Sequence, residues 1–166
     1  LKAFAREEPM ELKTSLDINA VIRSSIELAL NFIQNATGNF TLQLAKELPP
    51  IKGNAQMIEQ VIINLILNAC QALADRDKAI SVCSFYDEKK GSVIIKVKDE
   101  GCGIPADHLE KVKDPFFTTK RAFGGTGLGL YVSETIVKEH NGTLTFVSEP
   151  GKGSEATVTF PTGEHL

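Results

Sequence analysis

The chain has 166 residues, 42% hydrophobic and 23% charged, with a formal net charge of -3. That length holds one domain with a real core and not two comfortable ones, and with no basic excess there is little to drive nucleic-acid binding. Apolar runs are broken by Asn, Gln or Lys before membrane-spanning length, no signal peptide is visible, and Cys70, Cys83 and Cys102 are dispersed without metal-ligand spacing, which favours buried thiols in a reducing cytosol over a disulfide framework.

Leu1 to Arg6 reads as the tail of a helix, ended at Glu7-Glu8-Pro9 because proline disfavours helix in the residue before it. From Leu16 to about Asn35, Ile18, Val21, Ile22, Ile26, Leu28, Ala29, Leu30 and Ile33 recur at helical spacing behind Asp17 as N-cap. Gly38-Asn39 predicts a turn, and Phe40, Leu42 and Leu44 alternate as in a half-buried strand. Pro49-Pro50 breaks the chain ahead of a helix over 54–74, and Ile80-Val82-Phe85 with Val93-Ile95-Val97 predicts a hairpin turning at 88–91. From Asp99 to Gly125 the pattern dissolves into Gly, Pro, Lys and Asp over more residues than an ordinary connection needs, which predicts a functional loop or lid. A helix over 126–140, closed by Asn141-Gly142, then leads to a second hairpin that pairs 143–147 with 156–160. The expected fold is α+β, a two-layer sandwich of about three main helices on a mixed, mostly antiparallel sheet.

The helix around residue 60 is apolar around most of its circumference and should be buried, yet Gln60, Asn64, Asn68 and Gln71 fall on one narrow stripe. Buried amides need partners, so the stripe is either a side-chain network into neighbouring elements or the lining of a ligand site. An Asn carbonyl oxygen is also a hard ligand suited to Mg²⁺. Asp99 opens Asp-Glu-Gly-Cys-Gly after a strand. The segment is either an ordinary turn or an acceptor for the exocyclic amine of adenine, with Gly101 and Gly103 allowing close backbone approach to a flat ring. Guanine would present an oxygen to Asp99, so such a site prefers ATP to GTP.

Gly124-Gly125-Thr126-Gly127-Leu128-Gly129-Leu130 has neither dinucleotide-binding nor P-loop spacing. It is either a flexible glycine run or a turn whose free amides, at a helix N-terminus, suit a triphosphate. Phe116 and Phe117 stand in a polar segment, where they anchor the loop, cover a nucleotide or meet a partner helix. Lys113, Lys120 and Arg121 are usually solvated charges, and Lys120 is the best candidate for a phosphate contact.

These segments follow one another in a fixed order: Asn64 to Ala69, Asp99 to Gly103, Asp114 to Lys120 and Gly124 to Leu130. Together they resemble the catalytic and ATP-binding (HATPase_c) domain of bacterial sensor histidine kinases. That domain sits in the GHKL superfamily, which also holds gyrase B, the Hsp90 chaperones and MutL. The signature is most similar to the nitrogen-regulation type and covers roughly residues 15 to 162. The resemblance implies a Bergerat-type sandwich with Asn68 as Mg²⁺ ligand, Asp99 on adenine, and Gly101 and Gly103 shaping the base pocket. Phe116 and Phe117 become the F box; Gly125, Gly127 and Gly129, with Thr126 and Leu128 among them, line the triphosphate. Asn64 falls where ATPase relatives carry a water-activating Glu, and an amide cannot act as a general base; with Lys120 it is the candidate catalytic position. Gln71 stands where many relatives have Lys or Arg, so one phosphate-facing charge is missing from the nucleotide site.

The phosphoacceptor motif is absent, and His108, His140 and His165 do not fit it. By resemblance, residues 1–14 end a preceding dimerisation and phosphoacceptor region, 15–162 form the catalytic domain, and 163–166 are a tail. The implied function is transfer of the ATP γ-phosphoryl group, with Mg²⁺, to a histidine on a separate helical hairpin. The implied partners are that hairpin and a downstream response regulator, with no nucleic acid and no direct membrane contact. The expected location is cytoplasmic, including the cytoplasmic part of a membrane-bound sensor. A nucleotide-binding regulatory module and an ATPase of the chaperone or topoisomerase kind are the competing readings.

Overall fold

The computed structural model describes residues 14–103 and 129–162. The described elements are β1 (Ser15–Leu16), α1 (Ile18–Ala36), β2 (Asn39–Leu44), β3 (Ile51–Lys52), α2 (Ala55–Ala72), β4 (Ala79–Asp87), β5 (Ser92–Asp99), α3 (Gly129–Glu139), β6 (Thr143–Glu149) and β7 (Gly153–Pro161). Five strands form one sheet in the order β2-β4-β5-β7-β6, and β1 pairs separately with β3. β2 runs parallel to β4 and the other neighbours are antiparallel, so the sheet is mixed and mostly antiparallel.

Local chemistry sets the helix ends. Asp17 caps α1 by accepting from the Asn19 N–H at 3.0 Å, and Asn54 caps α2 by accepting from the Met57 N–H at 3.0 Å. Each satisfies one orphan amide of a first turn. α3 ends where Asn141 enters the left-handed region at φ 61, with the Gly142 N–H bonded to the Val137 carbonyl at 2.9 Å. No side chain fits at Gly142, because a Cβ there would stand 2.1 Å from the Thr159 carbonyl oxygen.

The helices cover one face of the sheet. Along β4, β5 and β7, alternate residues Ile80, Val82, Val93, Ile95, Val97, Ala156, Val158 and Phe160 point into the core, as a period of two requires. α2 supplies the opposing surface with Ile58, Val61, Ile62, Leu65, Ile66 and Ala69, all buried. Burying one such aliphatic side chain contributes roughly 1.5–3 kcal/mol, so this contact dominates the packing. The other face keeps a polar dressing, including an ion pair between Lys96 and Glu155 at 3.4 Å. Both partners are about one-third exposed, and such pairs contribute little.

Two sequence expectations change. Leu28 and Leu30 belong to the helical apolar series but are 63% and 42% exposed, because α1 lies at the margin and needs only one stripe for α2. The β1–β3 pairing, Ser15 with Lys52 and Leu16 with Ile51, has no sequence signal, since two residues are too short to show a period. The helix expected over 54–74 stops at Ala72, where Leu73 turns extended with ψ 135. Among the described residues no helix is long and apolar enough to cross a membrane.

A buried polar bridge ties α1 to the sheet. Asn19 donates through Nδ2 to the Ala45 carbonyl at 2.7 Å and accepts from Ser84 Oγ at 2.7 Å. Replacing Asn19 by Ala removes the donor to the Ala45 carbonyl and the acceptor of the Ser84 hydroxyl, whose oxygen keeps only the Ala45 N–H at 3.2 Å, and a buried unsatisfied group costs about 1–3 kcal/mol. Asn19→Ala is expected to lower the urea midpoint accordingly without changing the slope; unchanged stability would show that water replaces the bridge.

Candidate functional site

The groove between α2, α3 and the β5–β7 part of the sheet opens into a pocket of about 520 Å³, the space at its mouth included. Leu65, Ala69 and Ala72 of α2, Val97 of β5, Leu130 of α3, Phe146 of β6 and Ala156 of β7 give it apolar walls. Asn68, Asp99, Cys102, Gly103 and Ser154 supply its polar groups. An apolar slot with a few convergent polar groups is the ordinary form of a small-molecule site.

Asp99 is 7% exposed at the last position of β5. Its Oδ1 accepts from the Gly101 N–H at 2.8 Å, which holds the carboxylate in the turn. Strand register puts Ser154 of β7 opposite Asp99, so that hydroxyl joins the same pocket. Ser154 Oγ lies 2.8 Å from Ser148 Oγ across the β6–β7 pair.

The glycines here have a reason that the sequence does not display. A Cβ at Gly101 would stand 2.5 Å from the Ala72 carbonyl oxygen, and one at Gly103, where φ is +74, would stand 2.2 Å from the Glu149 carbonyl oxygen. A Cβ at Gly153, φ +111, would meet the Asp99 carbonyl oxygen at 2.0 Å. The turn therefore threads between the end of α2 and the β6–β7 loop, with Cys102 N–H donating to the Ala72 carbonyl at 3.1 Å. The close approach these positions allow is to the protein's own backbone.

The predicted amide stripe on α2 divides. Asn68 lines the pocket, whereas Gln60 and Gln71 are exposed. Asn64 donates through Nδ2 to the Gly129 carbonyl at 3.2 Å and to Ser133 Oγ at 3.3 Å, joining α2 to the start of α3. The network reading applies to Asn64, while Asn68 faces the pocket.

Of the three histidines only His140 lies among the described residues. It is 2% exposed, and burial pushes its imidazole below the ordinary histidine value despite the Ile136 carbonyl and Glu139. Its Nδ1–H donates to the Ile136 carbonyl at 2.8 Å and its Nε2 accepts from the Asn54 N–H at 3.0 Å. Cys70 and Cys83 are half-buried, and burial raises the Cys83 thiol. Cys102 is exposed, because the turn packs through its backbone.

Phe116, Phe117, Lys120, Gly125, Thr126, Gly127 and Leu128 lie outside the described residues, as do Lys113, Arg121, His108 and His165. Sequence reasoning did not reach Phe146, Ser154, Ala156 or Ser133. They come from a hairpin and a helix whose pairing partners are distant in the chain, and no local period marks a pocket-facing position.

A family profile described as histidine kinase-, DNA gyrase B-, and HSP90-like ATPase matches residues 53–164. The signal transduction histidine-protein kinase AtoS of Escherichia coli (strain K12) is 35% identical over 147 residues, 88% of this chain and 23% of that protein. The sensor histidine kinase ZraS of the same organism is 37% identical over 147 residues, 89% of this chain and 30% of that protein. The chain therefore spans under a third of the length of these curated relatives. The catalytic domain of the histidine kinase ThkA, in a nucleotide-free form, is similar with a TM-score of 0.77 and 29% identity, covering 92% of this chain and 98% of that one.

Gly101→Ala forces backbone against the end of α2, a clash that no rotamer relieves. The substitution is expected to cost about 1–3 kcal/mol in thermal or denaturant unfolding, in line with overpacking at a rigid contact. A variant of native stability would mean that the turn is free to move away from Ala72.

Proposed function

The chain belongs to the histidine kinase-, DNA gyrase B- and HSP90-like ATPase family, and on that footing we propose that it is the catalytic domain of a sensor histidine kinase. It binds ATP and delivers the γ-phosphoryl group to a histidine on a helical hairpin outside the described residues. On this reading residues 15–162 are the catalytic domain, 1–14 end the dimerisation and phosphoacceptor region, and 163–166 are a tail. A response regulator receives the phosphoryl group downstream.

One observation carries the reading. Asp99 on β5 and Asn68 on α2 line one apolar pocket, from the sheet and from the helices. A purine would lie between Val97, Ala69 and Leu130, with its exocyclic amine toward Asp99. A carboxylate accepts only, so it repels the carbonyl oxygen that guanine places there. Asn68 sits farther along α2 toward Asn64 and Gly129 and would hold Mg²⁺ through its amide oxygen. Among the described residues no cluster of three His, Cys, Asp or Glu could hold a metal unaided. That fits an ion that arrives with phosphate oxygens and keeps most of its waters. Bound there, Mg²⁺ would neutralise charge on the triphosphate.

The chain's own contribution is positioning. Gly129 begins α3, and with Gly125, Thr126, Gly127 and Leu128 it would offer backbone amides to the phosphates at a helix N-terminus. Lys120 would add a charge where Gln71 has none, and Phe116 and Phe117 would close over the site or meet the hairpin. Asn64 spends its amide N–H groups on Gly129 and Ser133 and has no basic atom with which to activate water. Slow hydrolysis and transfer to a protein acceptor follow. His140 cannot serve as that acceptor, because both ring nitrogens are engaged inside the core.

Two variants test this in calorimetric titrations. Wild type is expected to bind Mg·ATP and reject Mg·GTP, and Asp99→Asn to lose roughly tenfold or more in ATP affinity together with the discrimination. Asn68→Ala is expected to bind ATP equally with and without Mg²⁺. Retained discrimination in the first, or retained Mg²⁺ dependence in the second, refutes the assignment concerned. Phosphotransfer to a supplied acceptor hairpin separates the kinase from a purely regulatory nucleotide module.

A further inference from the structure

Among the described residues, hydrogen bonds fasten α3 to α2 at two points, one at the pocket end and one at the far end. Asn64 reaches Gly129 and Ser133 near the start of α3. At the far end His140, directly after α3, accepts from the Asn54 N–H that precedes α2. We propose that His140 is a positioning residue for the nucleotide site: a neutral imidazole clasp that sets the pitch of α3 on α2 and opens when the ring gains a second proton.

The hydrogen bonds determine the tautomer. A carbonyl can only accept, so Nδ1 carries the proton donated to Ile136, and Nε2 is the bare nitrogen facing the Asn54 N–H. A protonated ring would set N–H against N–H, at the positive end of the α2 dipole. The ring has no other place to turn. Phe160 meets it edge-on at 5.8 Å, and a Cβ at Gly53 would stand 2.4 Å from a ring carbon. The charge is accommodated only by parting the end of α3 from the start of α2. Glu139, its chain neighbour, favours the charged form; Gly53 and Asn54 before α2, Ile58 on α2 and Phe160 on β7 carry no charge. Burial outweighs Glu139, and the imidazole lies below its ordinary value. The clasp is therefore complete above about pH 6.5, the ordinary histidine value, and is lost as pH falls through the lowered one.

The functional readout rests on the nucleotide-site reading; the clasp itself does not. The test combines imidazole and amide NMR of the chain with Mg·ATP titrations between about pH 8 and 5.5 on wild type, His140→Gln and His140→Ala. ATP's own phosphate titrates in this window, so wild type is compared with His140→Gln, whose amide oxygen still accepts from Asn54 and does not ionise. The expected results are an Nδ1-protonated neutral ring at pH 8 and exchange protection of the Asn54 amide that fades on acidification. The ratio of wild-type to His140→Gln Kd should rise about tenfold across the window, and His140→Ala should bind about tenfold more weakly at pH 8. An Nε2-protonated ring, or parallel pH profiles for wild type and His140→Gln, overturns the clasp. Intact Asn54 protection without any Mg·ATP binding overturns the nucleotide-site reading and the positioning role with it.

Discussion

The burial of α2 is the constraint from which the site follows. Six apolar side chains on this helix are removed from solvent, packed between the sheet and α1. A helix so committed can neither rotate nor slide, because a small rotation would expose isoleucines and bury Gln60 or Gln71. Its flank toward α3 is therefore held in one orientation. That flank carries Asn64 and Asn68, and the rigidity of the apolar face gives the two amides fixed addresses.

The second constraint is backbone against backbone. At the end of β5 three glycines, Gly101, Gly103 and Gly153, bring main chain within a distance that any side chain would block. These contacts hold the Asp99 turn between the last carbonyl of α2 and the β6–β7 hairpin. The carboxylate thus stands at a fixed depth under a pocket whose far wall is α2. Interiors packed at this density transmit displacements instead of absorbing them, which is why α3, tethered at Asn64 and His140, bears on the geometry of the same pocket.

The chemistry that this frame supports is selective binding and orientation. Among the described residues the pocket presents the buried Asp99 carboxylate and the Asn68 amide, with α3 packed beside α2. Family membership and the match to the ThkA catalytic domain agree with a nucleotide-binding sandwich, the fold that the sequence resemblance implies.

Much of this was legible in one dimension. Helical and strand periods located α1, α2, both hairpins and the described part of α3, and Asp17, Pro49-Pro50 and Asn141-Gly142 marked ends, because these signals depend on neighbours within a few residues. Asn68 stood out because a polar group in an apolar helix must find a partner, and Asp99 because it opens a glycine-rich turn directly after a strand. What lay beyond reach depends on contacts between distant segments: the parallel β2–β4 pairing, Ser154 set opposite Asp99, Ser133 beneath Asn64, and a histidine that looked like a helix terminator but clasps two helices. The reasons for the glycines were hidden in the same way, since Gly101 and Gly103 answer to Ala72 and Glu149. Sequence by itself determined the elements, their order and the residue types of the site. Only tertiary packing decided which of those residues share a pocket and which hold it in shape, because that choice is made by steric and hydrogen-bond contacts between residues far apart in the chain.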